Sequence, residues 1–194
     1  MAEPTTQTEP LTYSEAKAIE DASDERHLFW DGELFAMAGA SLAHYRIEQQ
    51  LTVALAAALQ GAPCEVFTGN ARLRPLHMDR FFYADASVFC EPPIVDPDDP
   101  NALTNPSAVF EVLSPSTERF DRTEKFGVYR EMPSVQLIVF LRSDAVGVER
   151  YERTPGGWVV TTFGPSEQIP LPHGTLAVDQ VYRNVQFPLR PRLL

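Results

Sequence analysis

The chain has few cysteines and no long apolar run. Cys64 and Cys90 are its two cysteines, and neither belongs to a C-x-x-C pair. A cysteine-type zinc site is therefore not expected, and a reduced, cytoplasmic compartment fits best. No stretch of about 18 apolar residues occurs, so no membrane span is predicted. Residues 1–10 are polar and lack an apolar segment, which predicts a disordered tail rather than a secretory signal.

Positive charge is also scarce, and arginine supplies most of it. The net charge of −11 counts against nucleic-acid binding, because phosphate contacts need cations. Residues 1–33 hold nine acidic and two basic side chains, and residues 91–99 hold four further acids. The remaining 14 acids are matched by 14 arginines and lysines, so a local basic groove stays compatible with the composition. Lys17 and Lys125 are the two lysines, and a lone lysine in the body of an arginine-rich chain needs a reason specific to ammonium.

The order of the elements predicts an α/β domain with a mixed sheet, spanning residues 11–194 as a single unit. Thr12 and Glu15 form a candidate capping box, Ser41 is a candidate helix cap, and Asp31-Gly32 is a hairpin turn. Helices are predicted at 12–22, 42–60 and 122–131, hairpins at 27–37 and 146–163, strands at 64–73, 81–90, 108–113 and 135–141, and a short strand or helix at 178–182.

Two of the predicted strands each carry one acid among apolar neighbours. The stretch FFYADASVF contains Asp85, and AVFEVL contains Glu111. A buried ionised carboxylate needs a cation, a metal or strong hydrogen bonds. Two such acids on neighbouring strands could hold Mg²⁺, with the backbone carbonyl of Val112 as a further oxygen ligand. The alternative is that both acids lie at strand ends in water or pair with arginines.

Several segments carry a family resemblance. They are DGELFAMAGASLAHYRI (31–47), YADASVFCEPP (83–93), FEVLSPSTERFDRTEKFGVYREMPS (110–134) and GGWVV (156–160). The chain resembles the Uma-two family of restriction-endonuclease-like proteins, within the PD-(D/E)XK nuclease superfamily. This resemblance implies a restriction-endonuclease-like core, in which helices flank a mixed central β-sheet and additional hairpins are attached. It also implies an Asp, a Glu and a Lys around a divalent cation, Mg²⁺ or Mn²⁺.

The resemblance assigns catalytic roles to Asp85, Glu111 and Lys125, with Asp85, Glu111 and Val112 as metal ligands. In the superfamily the lysine usually follows the glutamate by two residues, but that position is Leu113 here. The lysine is therefore expected on the following helix, at Lys125.

Supporting roles are predicted for Ser41, His44 and Asp121. Ser41 and His44 would orient the site or approach the substrate, although a helix cap and a packed histidine explain them equally well. Asp121 and Glu124 are predicted to cap the helix that carries Lys125. Lys125 would then lie in the first turn, where the helix dipole disfavours a cation by about 0.3–1 kcal/mol. The simpler alternative to a catalytic role for Lys125 is an i,i+4 ion pair between Lys125 and Asp121, worth about 0.3–0.5 kcal/mol.

Other polar residues give weaker signals. Arg72 and Arg74 share a strand face and could contact phosphate, although solvated side chains are the commoner outcome. The acidic segment 91–99 is expected to lie away from the site or to be mobile, because its carboxylates would repel a phosphate backbone. The following residues show no metal-ligand spacing: Cys64, Cys90, His77 and His173.

The resemblance implies a Mg²⁺-dependent endonuclease that hydrolyses phosphodiester bonds in DNA. The alternative is a nuclease-fold protein that binds or regulates without cleavage. The acidic net charge favours this alternative, as do Leu137 and Ile138, which occupy positions where the family often has Glu-Tyr. The exposed edges of such a sheet also predict a homodimer, and no membrane partner is expected.

Overall fold

The computed structural model describes residues 9–37 and 39–187. Its helices are α1 (Tyr13–Ala22), α2 (Leu42–Ala58), α3 (Glu118–Phe120), α4 (Phe126–Glu131) and α5 (Val178–Val181), and a π turn (Asp121–Lys125) joins α3 to α4. Its strands are β1 (His27–Trp30), β2 (Glu33–Ala36), β3 (Glu65–Thr68), β4 (Arg72–Leu73), β5 (Phe82–Tyr83), β6 (Ala86–Phe89), β7 (Ala102–Leu103), β8 (Ala108–Leu113), β9 (Leu137–Arg142), β10 (Val148–Thr154), β11 (Gly157–Phe163), β12 (Gln168–Pro170) and β13 (Thr175–Ala177).

The centre of the molecule is a mixed six-stranded sheet with the order β11-β10-β9-β8-β6-β3. β8 and β9 run parallel, and the other neighbouring strands run antiparallel. A parallel pair needs a crossover connection, and α3, the π turn and α4 supply it. Helices cover both faces of the sheet, so the predicted fold class is confirmed.

Helix α2 covers one face of this sheet and begins where the sequence predicts. The hydroxyl of Ser41 accepts the N–H of His44 at 3.2 Å, which satisfies one of the unpaired donors of the first turn. Ile47, Leu51 and Leu55 recur every four residues and are fully buried against the sheet. Each such side chain contributes about 1.5–3 kcal/mol on burial, so packing rather than helix propensity holds α2 in place.

The N-terminal elements also follow local sequence signals. Thr12 and Glu15 form the predicted capping box of α1. β1 and β2 form the predicted hairpin, with Asp31 and Gly32 at positive φ. A Cβ at position 32 would lie 2.6 Å from the Cβ of Pro10, so the turn requires glycine for space as well as for conformation.

Two predicted strands are each divided into two. The segment 64–73 forms β3 and β4, and the segment 81–90 forms β5 and β6. β4, β5 and β7 make a separate three-stranded sheet beside the central one. The first division is a turn in which the N–H of Ala71 donates to the carbonyl of Thr68, and the second is at Asp85, which is described below.

Arg72 and Arg74 are neither solvated nor open to phosphate, because acidic side chains bind them, of which Asp96 and Asp99 are buried. Arg72 donates to Asp99 at 2.8 Å and to Asp21 at 2.7 Å, and Arg74 donates to Asp96. The acidic segment is therefore tied into the fold rather than mobile. It lies away from the cavity described below, since none of its residues lines that cavity.

Cys64 and Cys90 form a disulfide, which the expectation of a reduced compartment does not include. Glu65 pairs with Phe89 across β3 and β6, so Cys64 and Cys90 stand opposite each other at the next position, and their sulfurs are bonded. A separation of 26 residues hides this pairing from the sequence. The cysteine argument for a reduced compartment no longer applies, and a cytoplasmic location stays a prediction.

The expectations on the N-terminal tail, the domain count and oligomeric state, and membrane spans are tested only in part. The predicted tail, residues 1–10, lies outside the described residues except for Glu9 and Pro10, which are exposed. A single domain and a homodimer stay predictions, the latter at the edge strands β3 and β11. Within the described residues, no helix combines the length and apolarity needed to cross a bilayer.

Candidate active site

Asp85 lies at a break between two strands, not within one. The β6–β8 pairing ends at Ala86 and Phe110, so Asp85 and Glu111 occupy the next opposed positions. There the carboxylate of Asp85 replaces a backbone carbonyl and accepts the N–H of Val112 at 2.6 Å. Asp85 thus ends the hydrogen-bond pairing between β6 and β8 without leaving the buried N–H of Val112 unpaired. The same hydrogen bond fixes the Asp85 side chain against β8.

Glu111 lies in a strand whose six residues are all buried. Val109 and Leu113 share its face and pack against the helical crossover, as strand alternation predicts. One oxygen, Oε1, accepts hydrogen bonds from Lys125 at 3.0 Å and from the hydroxyl of Tyr129. Within the described residues no hydrogen bond reaches Oε2, which leaves that oxygen for a ligand in the cavity that Glu111 lines.

Lys125 is buried, with 6% of its surface exposed. Its ammonium donates to Glu111 and, at 2.9 Å, to the carbonyl of Tyr83, and it lies 3.4 Å from the carboxylate of Asp121. The residue lies in the π turn, a rare element that often marks functional sites.

The predicted helix start at Asp121 is wrong. The helical segment begins at Glu118, after a turn in which Ser114 receives the N–H groups of Thr117 and Glu118. Asp121 is inside the segment, and Lys125 lies about two turns from its beginning rather than in the first turn. The argument from an unfavourable helix dipole therefore does not hold. The predicted i,i+4 pair with Asp121 is present, but it is buried and shared with Glu111.

His44 and Glu48 lie on the face of α2 that meets Asp85. The Nε2 atom of His44 is 3.2 Å from Oδ1 of Asp85, while the buried Nδ1 atom has no hydrogen-bond partner among the described residues. Potential ligand atoms of His44, Glu48 and Asp85 all lie within 4.8 Å of one another. Ser41 supports this arrangement only as the cap that begins α2.

These side chains meet at a cavity of about 200 Å³. Asp85, Glu111, Asp121, Lys125 and His44 contribute its polar wall. The remaining wall comes from the β1–β2 hairpin and the chain after it, the turn before α3, the end of α3, and two strand residues. Its members are Leu28, Phe35, Ala36, Met37, Gly39, Ala40, Ser114, Ser116, Thr117, Phe120, Tyr83 and Val112. Residues far apart in sequence therefore form one compact polar group beside an apolar surface.

The cavity brings three carboxyl groups together with one ammonium. Burial raises the pKa of Glu111 to about 8, and Asp121 and Asp85 add to the effect against the lowering by Lys125. Burial lowers the pKa of Lys125, but Glu111 and Asp121 raise it by more, so the ammonium stays charged. A cation that binds Glu111 near neutral pH must therefore displace its proton, and the neighbouring carboxyl groups that raise this pKa are also the groups that favour a cation there.

The donor set fits a divalent cation. Asp85 and Glu111 occupy opposed positions, both line the cavity, and Oε2 of Glu111 has no protein partner among the described residues. Carboxylate oxygens are ligands for Mg²⁺ and Mn²⁺. Val112 also lines the cavity, and the metal-ligand role of its carbonyl stays a prediction. His44 and Glu48 offer a second set of donors that shares Asp85.

Sequence reasoning missed Tyr129 and recognised Glu48 only as a helix neighbour of His44, without a role at this site. Tyr129 is fully buried and donates to Glu111, and its position four residues after Lys125 on a helix was an available signal. Glu48 follows His44 by four residues on α2, so the two share a helix face. Burial and the proximity of Asp85 raise the pKa of Glu48.

The departure at Leu137 and Ile138 lies away from the site. Leu137 pairs with Ala108, whereas Glu111 pairs with Phe140. Leu137 is therefore three residues, about 10 Å, and Ile138 two residues, about 7 Å, along β9 from the position opposite Glu111. The apolar pair fills the core and leaves the polar group around Glu111 intact.

The fold is that of a known class of nuclease-like α/β protein. It matches a crystal structure described as "a putative nuclease belonging to DUF820 from Anabaena variabilis ATCC 29413", with a TM-score of 0.69 over 89% of this chain and 98% of that chain. The sequence identity is 16%, so this match establishes shared fold.

The family follows from sequence. Residues 13–181 match the Uma2 family, described as "Putative restriction endonuclease", and the chain belongs to that family. It is also similar to two uncharacterized proteins of Synechocystis sp. (strain PCC 6803). Protein slr1290 is 32% identical over 87% of this chain and 89% of its own length. Protein sll1609 is 33% identical over 79% of this chain and 88% of its own length. The resemblance seen in the sequence motifs is thereby confirmed.

Proposed function

We propose that this protein is a metal-dependent endonuclease that hydrolyses phosphodiester bonds in DNA. The observation that carries the proposal is the meeting of Asp85, Glu111 and Lys125 at one cavity, although they belong to a strand break, a strand and a helical crossover. Membership of the restriction-endonuclease-like family supports the same reaction class.

Asp85 and Glu111 would hold the cation through oxygens that face the cavity. When bound, a divalent cation polarises the phosphate and makes an attacking water more acidic. Asp85 keeps its orientation through the Val112 N–H, and Glu111 keeps its own through Tyr129 and Lys125. The oxygens are thus held in place before the cation arrives.

Lys125 would contact the scissile phosphate or the attacking water. An ammonium has three donors, and Glu111 and the Tyr83 carbonyl take two of them. The third, which lies near the Asp121 carboxylate at 3.4 Å, can turn to stabilise the negative charge that develops on the phosphate in the transition state. Its charge is retained because Glu111 and Asp121 raise the pKa of Lys125.

His44 and Asp121 would act as positioning residues. His44 contacts Oδ1 of Asp85 while the Val112 N–H binds Oδ2, and Asp121 lies 3.4 Å from the Lys125 ammonium that Glu111 also binds. Neither needs to contact the substrate for these roles.

A binding module without cleavage is the second candidate function. The net charge of −11 favours it, since a surface of this sign attracts DNA weakly. Leu137 and Ile138 are core residues that do not pair with Glu111, which weakens the other argument for it.

A cleavage assay separates the two functions. Supercoiled plasmid, linear duplex and single-stranded DNA would be incubated with the protein and Mg²⁺ or Mn²⁺, with and without chelator. We expect nicked or shortened DNA in the presence of either metal, and intact DNA when the chelator is added. DNA that stays intact with either metal, whether or not it shifts in a gel, would favour the module without cleavage instead.

A further inference from the structure

A second group of potential metal ligands lies outside the candidate active site. Cys64, Cys90 and His173 offer sulfur and nitrogen atoms that all lie within 4.8 Å of one another. The two cysteines are half-buried, and the histidine is exposed. These three residues, called the Cys–His cluster below, belong to three separate segments and show no ligand spacing in the sequence.

The fold fixes each member of the Cys–His cluster. Cys64 follows the turn that ends α2, where the N–H of Ala62 donates to the carbonyl of Leu59 at 3.0 Å. The N–H of Cys90 donates to the hydroxyl of Ser107 at 3.0 Å, just after the end of β6. Both cysteines therefore stand on backbone that does not depend on the bond between them.

His173 is held over the cysteines by a tight turn. The N–H of Leu171 donates to the carbonyl of Gly174 at 3.0 Å, which closes the β12–β13 hairpin. Gly174 has a φ of +92°, and a Cβ there would lie 2.4 Å from the carbonyl oxygen of Ala58. The turn thus rests directly against the C-terminal end of α2. A helix C-terminus carries partial negative charge, which favours a cation nearby.

The chemistry of the Cys–His cluster depends on its redox state. Oxidised, the sulfurs are bonded to each other and cannot act as thiolate ligands. Reduced, the cluster offers two thiolates and one imidazole, the combination that binds Zn²⁺ with a fourth position open. Tetrahedral Zn²⁺ holds two sulfurs about 3.8 Å apart for Zn–S bonds of about 2.3 Å, and opposed cysteines on neighbouring strands can reach this by side-chain rotation.

We infer that Cys64, Cys90 and His173 form a redox-gated site for a soft or borderline cation such as Zn²⁺. A dithiol reductant converts the disulfide into two thiols and is itself oxidised to a disulfide. Zn²⁺ then displaces two thiol protons and binds both sulfurs and the His173 nitrogen. Reoxidation by a disulfide oxidant would release the cation. The site is independent of the proposed nuclease activity.

Cobalt titration tests the inference with a signal specific to sulfur ligands. The full chain would be prepared oxidised or reduced with a dithiol, desalted without oxygen, and titrated with Co²⁺ in excess Mg²⁺, which competes for the carboxylate site. Cobalt bound to thiolate gives a sulfur-to-metal charge-transfer absorption in the near ultraviolet, whereas cobalt at His44, Glu48 and Asp85 does not. We expect this absorption at one Co²⁺ per reduced chain, its loss on adding Zn²⁺, and none in the oxidised chain.

Variants identify the third ligand. His173→Ala should weaken Co²⁺ binding by about tenfold or more, since even partners of a zinc ligand contribute 10–100-fold. His173→Cys should restore binding, because it supplies a third thiolate. His77→Asn is the matched control, since His77 is exposed, lies outside the cluster and has a positive φ that asparagine tolerates. Absence of the absorption from the reduced chain, or equal affinity in His173→Ala and the unmodified chain, would overturn the inference.

Discussion

The replacement Glu111→Gln tests how the candidate active site is built. Burial raises the pKa of Glu111 from 4.5 to about 8. Below pH 4.5 the acid is protonated in both the folded and the unfolded protein, and its contribution to the free energy of unfolding is fully present. This contribution is lost as the pH rises from 4.5 towards 8, because the unfolded protein releases the proton first. Each tenfold change in proton affinity is worth about 1.4 kcal/mol, so the loss amounts to about 5 kcal/mol at pH 8 and less than about 1 kcal/mol at pH 5.

Glutamine removes this loss because it does not ionise. Its amide oxygen can still accept from Tyr129 and Lys125, and Asp121 remains as a counter-ion for Lys125. We therefore expect Glu111→Gln to have nearly the stability of the unmodified protein at pH 5 and to be more stable by up to about 5 kcal/mol at pH 8 in the presence of chelator. A residue kept for stability alone would show the opposite.

The measurement is urea unfolding followed by tryptophan fluorescence at several pH values between 5 and 9. Glu149→Gln is the matched control, because hydrogen bonding to Arg122 lowers the pKa of Glu149 and that pair should stabilise the protein at neutral pH. Saturating Mn²⁺ should stabilise the unmodified protein and leave Glu111→Gln nearly unchanged. A Glu111→Gln protein that is less stable at pH 8, or a difference that does not vary with pH, would refute the reasoning.

Four further predictions follow from the same contacts. Lys125→Arg should lower the plasmid-nicking rate by about 100-fold or more while circular dichroism shows a folded protein, because the planar guanidinium does not fit the buried space beside Glu111. Leu137→Glu should give no gain in nicking and a lower urea midpoint, because position 137 is in the core about 10 Å from Glu111. Asp99→Asn should lower the free energy of unfolding by about 1.5–3 kcal/mol, because it removes the buried carboxylate that pairs with Arg72 and leaves Asp21 as the remaining counter-ion, with no change in nicking rate per folded molecule. His44→Asn should reduce any preference for Mn²⁺ over Mg²⁺ in calorimetric titrations, because an imidazole donor favours the softer cation.

The sequence predicts the elements whose causes are local. The capping box at Thr12, the cap at Ser41, the turn at Asp31-Gly32 and the apolar run of β8 each depend on residues that are neighbours in the chain. Alternation along β8 also predicts the face on which Glu111 lies. These features need no knowledge of the partner strand or helix.

Features set by distant pairing are the ones that sequence reasoning misses. The break at Asp85 arises because its carboxylate takes the N–H of Val112, which lies 27 residues away. The bond between Cys64 and Cys90 depends on the β3–β6 register. The helix that carries Lys125 begins earlier than a capping pattern suggests, because a serine-rich turn starts it and no side-chain cap is used.

A local pattern and the family resemblance together predict the candidate site. One acid per apolar strand indicates a cation site but does not choose between metal, arginine and water. Family motifs supply Asp85, Glu111 and Lys125, and the contacts of Lys125 with Glu111 give a physical reason for a lysine at that position. The catalytic roles of these three residues stay predictions.

The most direct test of the central claim is the metal-dependent nicking rate of Asp85→Asn and Lys125→Met beside Lys17→Met. Lys17 is the chain's other lysine and forms an i,i+4 pair with Asp21 on α1, so its replacement controls for loss of an ammonium. We expect the unmodified chain and Lys17→Met to nick plasmid at equal rates at saturating Mn²⁺. The nicking rates of Asp85→Asn and Lys125→Met should be lower by at least about 100-fold. Equal rates in all four proteins would contradict the assignment of the hydrolytic centre to this cavity.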